Sequence, residues 1–299
     1  IDFRQSLGLL TTVPYIEFAM VLPYVASFYA VLSFLEDFGY LPRLAVLLDS
    51  LMHRVGLHGY AIIPNLLGLG CNVPALLATR ILESRKERFI AAVMISIAVP
   101  CAALQAMIFG LVGEKGGIYV AAVYLALVLA WFLLGAILRV AVKGYEPELI
   151  IEIPHYRLPP PGPFLAKVWV RIWGFLREAV PVIFIGVLVI NLLYSVGFFD
   201  AIAGFFAPVV TRLWGLPRQS VAAILIGFLR KDVAVGLLAP LNLSGKQLVT
   251  ATVVLSMFFP CVATFAVFIK EFGIRDTLRA SGIMVLTATL AGALVNWIF

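Results

Sequence analysis

Apolar residues run through this chain in long blocks that are separated by short polar connections. Most blocks reach about the 20 residues that a helix needs to cross the hydrocarbon core of a bilayer. The first series comprises Val13–Leu35, Leu41–Val55, Tyr60–Thr79, Phe89–Val112 and Ile118–Val142, and the second comprises Ala179–Val196, Phe198–Leu216, Val221–Leu238, Leu248–Phe272 and Ser281–Phe299. The pattern predicts an all-α, polytopic helical membrane protein with about eight to ten membrane segments.

The composition excludes an ordinary soluble domain. Hydrophobic residues make up 63% of the 299 residues and charged residues 13%, with a mean hydropathy of +1.05. The net charge of +6 lies in short loops between apolar blocks, where positive-inside topology explains it better than nucleic-acid binding does. Three cysteines, an odd number, do not form a disulfide framework. The chain also lacks a phosphate-binding loop, a zinc-protease motif and a nucleophile elbow, so we expect a transporter domain with no catalytic or cofactor-binding residues.

The two series of apolar blocks look like an internal repeat. Matching landmarks are Pro23 with Pro181 and Gly39 with Gly197 at an offset of 158, Gly56 with Gly215 and Gly68 with Gly227 at 159, and Pro100-Cys101 with Pro260-Cys261 at 160. We therefore predict a first membrane repeat over residues 1–142, a polar linker over 143–163 and a second repeat over 164–299. The run Pro159–Pro163 in the linker is expected to be stiff, extended and not helical.

Two corresponding blocks carry features that an ordinary membrane helix avoids. Tyr60–Thr79 contains Pro64, Gly68, Gly70 and Pro74, and Val221–Leu238 contains Arg230-Lys231-Asp232. Irregular or charged backbone at membrane depth is tolerated where it faces protein or a water-filled cavity. These blocks are predicted to be broken or re-entrant helices that mark a pathway at the interface between the repeats.

The orientation of the two repeats depends on Leu41–Val55. If this amphipathic block lies at the interface, each half has four spans and the repeats are parallel; if it crosses the membrane, each half has five spans and the repeats are inverted. The distribution of basic residues favours the parallel arrangement.

The cysteines fall at special positions of the repeat. Cys71 lies in the broken block, and Cys101 and Cys261 each follow a proline, which removes a backbone donor and can free a carbonyl oxygen. Gln105 and Thr264 share a helix face with the cysteine before them, at spacings of four and three. Thiolate, amide and carbonyl groups together suit a transition-metal ion such as Fe²⁺. The alternative is that each cysteine packs as a small hydrophobic residue.

Other polar residues have simpler explanations. Asp232 follows two basic residues, so a local ion pair at a helix end is one interpretation of it. The three histidines, His53, His58 and His155, lie in or near predicted loops, where we expect them to be solvated. Their positions argue against a metal site built from imidazole.

Three stretches resemble the bacterial and archaeal ferrous-iron transporter B (FeoB) permease. Residues 68–80, GLGCNVPALLATR, resemble its first gate motif; residues 227–232, GFLRKD, resemble its second gate; and residues 260–264, PCVAT, resemble its late cysteine helix. The resemblance implies that the cysteines at 71, 101 and 261 lie along the ion path. We add Asn72 and Asp232 as candidate metal ligands. Residues 102–105, Ala-Ala-Leu-Gln, depart from the sequence found after this cysteine in many members.

The resemblance further implies a membrane domain that carries Fe²⁺, as transported substrate, inward across the cytoplasmic membrane of a bacterium or archaeon. GTP would act only through a separate GTP-binding domain, in cis or in trans, and homo-oligomerisation is left open. The expected partners are Fe²⁺, the lipid bilayer and that domain, with no nucleic acid. The alternatives are a gate-family transporter of another solute, such as a nucleoside, and a membrane scaffold that does not transport.

Overall fold

A computed structural model describes residues 22–144, 156–195, 204, 208–229, 231–258 and 260–298. Over these residues the secondary structure is helical, with no strand. The helices are α1 Leu22–Asp37, α2 Tyr40–Arg54, α3 Ile62–Gly70, α4 Asn72–Ala78, α5 Arg85–Ala98, α6 Ala102–Met107, α7 Gly117–Ala141, α8 Pro161–Ser195, α9 Ser220–Leu229, α10 Lys231–Leu238, α11 Gly245–Met257 and α12 Val262–Ile298. The protein is a polytopic helical membrane protein, which confirms the predicted fold class.

Three described stretches are long and apolar enough to cross a membrane: Arg85–Lys115, Gly117–Ala141 and Gly245–Ile298. The second of these, α7, turns much of its surface outward, with Leu125, Leu133, Ile137 and Val140 all exposed. An apolar surface of this kind fits contact with lipid, because soluble monomers seldom expose large contiguous apolar patches.

The chain divides into two compact units. One contains residues 1–92 and 135–188, and the other contains residues 93–134 and 189–299. In the first unit, Lys167 and Arg171 on α8 form ion pairs with Glu36 on α1, at 3.1 and 2.8 Å, and Lys167 also pairs with Asp37 at 2.7 Å. In the second unit, α11 packs along α12. The division into sequence repeats stays a prediction.

The expectation that Pro159–Pro163 is not helical was wrong for its last three residues. Helix α8 begins at Pro161, so Pro161, Gly162 and Pro163 form its first turn. The carbonyl oxygen of Pro160 accepts a hydrogen bond from Phe164 N at 3.2 Å. Proline is tolerated in a first helical turn because the backbone N–H groups there have no partner within the helix.

Two glycines with left-handed backbone, Gly56 (φ 76°) and Gly215 (φ 65°), occupy corresponding positions in the predicted repeats. A Cβ at Gly56 would lie 2.8 Å from Arg139 Cβ, and a Cβ at Gly215 would lie 2.5 Å from Asn296 Oδ1. Both the dihedral angle and the space therefore require glycine. Each glycine reverses the chain at the end of a helical segment.

Candidate functional site

Cys101 and Cys261 have the same local structure. Each lies in a break between two helices, α5 and α6 for Cys101 and α11 and α12 for Cys261. The Cys101 carbonyl accepts a hydrogen bond from Gln105 N at 2.9 Å, and the Cys261 carbonyl accepts one from Phe265 N at the same distance. The prolines before both cysteines cannot donate to a preceding turn, which explains why the helix stops there. As whole residues, Cys101 and Cys261 are intermediate between buried and exposed.

Polar groups surround the two breaks. The Cys261 Sγ lies 3.1 Å from Thr264 Oγ1, and Thr264 is fully buried. Gln105 donates from Nε2 to the carbonyl oxygen of Pro100 at 3.1 Å, so this side chain covers a carbonyl that the break leaves without a helical partner. Gln105 and Thr264 were both predicted to share a helix face with the neighbouring cysteine. Oxygen and sulfur donors therefore meet at Cys261.

Lys231 lies beside these thiols, and sequence reasoning did not select it. It is the first residue of α10, and its side chain is buried, with 4% of the residue exposed. Its Nζ donates to the Ser256 carbonyl at 3.2 Å. It lies within electrostatic range of both Cys101 and Cys261, and α10 packs against α6. The fold thus brings two of the predicted metal ligands together around a buried amine.

Asp232 follows Lys231 in α10, but its side chain lies outside the described residues, as does all of Arg230. Its role as a ligand stays a prediction. The signal that could have pointed to Lys231 was present in the sequence, because it belongs to the same charged triplet in an apolar block. Sequence reasoning weighed the carboxylate and treated its neighbour only as an ion-pair partner.

The first gate segment is broken as predicted. Cys71 has extended dihedral angles (φ −149°, ψ 133°) between the end of α3 and the start of α4. Asn72 is buried, and its Oδ1 accepts no hydrogen bond from the part of the chain that the structure describes. A Cβ on Gly70 would lie 2.9 Å from the ring of Phe28, so the segment needs glycine here to approach α1. The break leaves an oxygen donor next to a thiol.

The expectation that the histidines are solvated was wrong for His58, which is buried with 6% exposed. His58 Nε2 lies 3.3 Å from Glu87 Oε1, and its Nδ1 lies 4.0 Å from Asp49 Oδ1. His53 Nδ1 lies 3.5 Å from Asp49 Oδ2. Asp49, His53 and His58 could together hold a metal ion. His155 lies outside the described residues.

Two family models match the chain. The model described as "Gate: Nucleoside recognition" matches residues 18–115 and again residues 176–275. The model described as "Ferrous iron transport protein B C terminus" matches residues 120–171. The three matches together include both predicted gate segments, all three cysteines and Lys231.

The chain is also similar to curated proteins named Fe(2+) transporter FeoB. The protein of Staphylococcus aureus strain COL is 31% identical over 279 residues, which cover 83% of this chain and 42% of that protein. The Methanocaldococcus jannaschii protein is 28% identical over 295 residues, covering 86% of this chain and 44% of that protein. The Synechocystis protein is 38% identical over 163 residues, covering 53% of this chain and 26% of that protein. The chain thus spans less than half the length of each of these relatives. No solved structure matches it significantly.

Proposed function

Because this chain belongs to the Fe(2+) transporter FeoB family and corresponds to its C-terminal part, we propose that it moves Fe²⁺ across the cytoplasmic membrane of a bacterium or archaeon. The curated relatives carry that activity in their names, and this chain matches only part of each. Its apolar helices fit the membrane setting. Its family models are those of transporter domains, in keeping with a role other than catalysis.

The observation that carries the proposal is the pair of thiols at Cys101 and Cys261, together with the buried Lys231. Both cysteines lie at helix breaks and are not fully buried as residues, which supports a role for them as ligands. Two thiols and the adjacent Thr264 hydroxyl offer soft and hard donors to a partly dehydrated Fe²⁺ ion. The ion would bind there in transit and then move on.

Lys231 gives the site a means to release its ion. A protonated amine within a few ångströms of Fe²⁺ would oppose binding by several kcal/mol, even at an effective dielectric constant of about 20. Conduction needs binding that is favourable enough to enter and weak enough to leave. Lys231 would therefore keep a thiol site, which otherwise holds transition metals tightly, from becoming a trap.

Further ligands for Fe²⁺ would come from the gate segments. The first gate would supply the Cys71 thiol and the Asn72 side-chain oxygen, Oδ1, and the second gate would supply Asp232. The orphaned Oδ1 of Asn72 supports its assignment, because a buried acceptor without a partner is costly unless a ligand uses it. In this proposal Asn72 and Lys231 are repeat-related, because they lie 159 positions apart, the same offset as Gly68 and Gly227. The double match of the gate model, with starts at 18 and 176, supports the two repeats. Energy from GTP would come through a GTP-binding domain in cis or in trans.

One observation favours nucleosides as the transported solute instead: the family model that matches most of the chain is described as "Gate: Nucleoside recognition". A nucleoside transporter would not depend on thiols. Uptake of a nucleoside is therefore measured beside uptake of iron.

The test is anaerobic Fe²⁺ uptake into proteoliposomes, for the chain alone and with an added GTP-binding domain. The test variant is Cys101→Ser/Cys261→Ser. The matched control is Ala106→Ser/Ala266→Ser, which adds hydroxyls to α6 and α12 at an offset of 160 and keeps both sulfurs.

We expect uptake to fall at least about tenfold in the cysteine variant and to persist in the alanine control. Equal uptake by both would remove the thiols from the mechanism. Nucleoside uptake without iron uptake, or no uptake in either arrangement, would overturn the proposed activity.

A further inference from the structure

A second group of metal-type ligands lies in the first compact unit, where the chain turns back on α2. Asp49 and His53 are one helical turn apart on α2, and the left-handed turn at Gly56 brings His58 back beside them. The backbone N–H of Gly59 donates to Asp49 Oδ1 at 2.8 Å, which fixes this return. One donor atom from each of the three side chains lies within 4.8 Å of the others.

Each of the two imidazole rings has one nitrogen within 3.3 Å of an oxygen acceptor, and its second nitrogen is available to a metal ion. His53 Nδ1 lies 3.1 Å from the Asp49 carbonyl oxygen, which can only accept, so this nitrogen carries the proton and the lone pair is on Nε2. His58 presents Nε2 to Glu87 Oε1 at 3.3 Å and Nδ1 to Asp49. A carboxylate behind a histidine is the usual way in which metal sites fix the tautomer and orient the ring.

Burial supplies an independent sign of a ligand. His58 and Glu87 are 6% and 1% exposed. The 3.3 Å approach of His58 Nε2 to Glu87 Oε1 lacks the geometry of a hydrogen bond, and His58 Nδ1 makes no hydrogen bond within the described part of the chain. Buried polar groups without partners cost on the order of 1–3 kcal/mol each, so they are rarely kept without a use.

We propose that Asp49, His53 and His58 bind a divalent transition-metal ion, with Glu87 orienting His58 from behind. Two imidazoles and one carboxylate suit Fe²⁺, Co²⁺ or Zn²⁺, whereas Mg²⁺ and Ca²⁺ prefer sites built from oxygen alone. Ligands about 2.1 Å from a common ion lie at most about 4.2 Å apart. The side chain of His53 is 43% exposed, so its ring has room to turn toward an ion. The site contains no thiol and does not depend on the proposed transport activity.

The experiment measures metal binding, not transport. The whole chain, purified in detergent without oxygen, is titrated with Co²⁺, followed by calorimetry and by the visible absorption of the ion. Because thiols are expected to bind Co²⁺ as well, the titration uses the Cys71→Ser/Cys101→Ser/Cys261→Ser background, and Mg²⁺ serves as the ion that should not bind. Thermal unfolding with and without Co²⁺ gives a second readout, since a ligand that binds the folded state raises Tm.

Two variants remove ligands with little risk to the fold. His53→Ala alters a partly exposed side chain, and Asp49→Asn keeps an acceptor for Gly59 N. We expect each to weaken Co²⁺ binding at least about tenfold and to abolish the Tm increase. Glu87→Gln should weaken binding by about 10–100-fold, the usual effect of an outer-shell carboxylate. Glu114→Gln, at an exposed carboxylate in the other unit, is the matched control and should bind as the parent does.

The proposal is overturned if the parent protein binds no Co²⁺ at this group, or if His53→Ala and Asp49→Asn bind it as tightly as Glu114→Gln does. In either case Asp49, His53, His58 and Glu87 would be an electrostatic cluster that stabilises the turn. Failure of iron uptake would leave this result unchanged, because no transport enters the measurement.

Discussion

The packing of α11 against α12 gives a sharp prediction at two glycines of the same helix. Gly292 on α12 faces α11, and a Cβ there would lie 2.6 Å from Val254 Cγ2 and 2.7 Å from both Trp214 Cδ1 and Nε1. Gly282, ten residues earlier on α12, is exposed, and a Cβ there would meet nothing within 4 Å. Alanine at these positions differs only in what the methyl group contacts.

The expected free energies follow from two opposing effects. Replacing a helical glycine by alanine favours the helix by about 1 kcal/mol at both positions. At Gly292 the new methyl group overlaps its neighbours by about 1 Å relative to ordinary contact, and overpacking of this kind costs about 1–3 kcal/mol. Gly282→Ala should therefore stabilise the protein slightly, and Gly292→Ala should be about 1–3 kcal/mol less stable than Gly282→Ala.

Thermal unfolding followed by tryptophan fluorescence measures the difference, and the buried Trp214 reports directly on the contact. For a chain of this size each kcal/mol shifts Tm by roughly 2–4 °C. We expect Gly282→Ala to unfold several degrees above Gly292→Ala. Equal Tm values for the two variants would refute the close packing of α12 on Trp214 and Val254.

Two further predictions concern buried and capping side chains. Lys231→Met removes a charge near the thiols, so it should tighten Fe²⁺ binding at least about tenfold and slow uptake. An unchanged affinity for Fe²⁺ would show that the amine does not oppose the ion and that Lys231 serves only to hydrogen-bond the Ser256 carbonyl. Ser244→Ala removes the capping box that Ser244 forms with Gln247 at the start of α11, which should destabilise the protein by about 1 kcal/mol in thermal unfolding. The control Ser50→Ala, at an exposed position inside α2, should not destabilise it, because alanine is the better helix former there; equal losses in the two serine variants would contradict the capping role.

Local features of the sequence were enough to predict the helix break at Cys71, and they account for the breaks at Cys101 and Cys261, which lie in blocks predicted to be continuous. Proline removes a backbone donor and glycine weakens a helix, so the breaks at Cys71, Cys101 and Cys261 follow from residues within a few positions of each. The same reasoning failed at Pro161–Pro163, because the effect of proline depends on whether it lies inside a helix or in its first turn. The sequence did not show that α8 begins there.

Contacts between distant residues were not predictable in this way. Lys231 meets Cys101 from 130 positions away, through the packing of α10 against α6. His58 is buried because the left-handed turn at Gly56 folds it back onto α2, whereas its place between two helical segments suggested a solvated loop. In both cases the backbone path, rather than the residue type, decided the surroundings.

Gly56 and Gly215 share a left-handed backbone conformation, but the residues around the two turns differ in charge. Under the proposed repeat, at an offset of 159, the turn is retained, but Pro208, Arg212 and Pro217 stand where the first half has Asp49, His53 and His58. A cation would meet a carboxylate and two imidazoles in one half and an exposed guanidinium in the other. The two proposed repeats therefore share a backbone turn but present opposite charge at it, so the two turns are not equivalent binding surfaces for a cation.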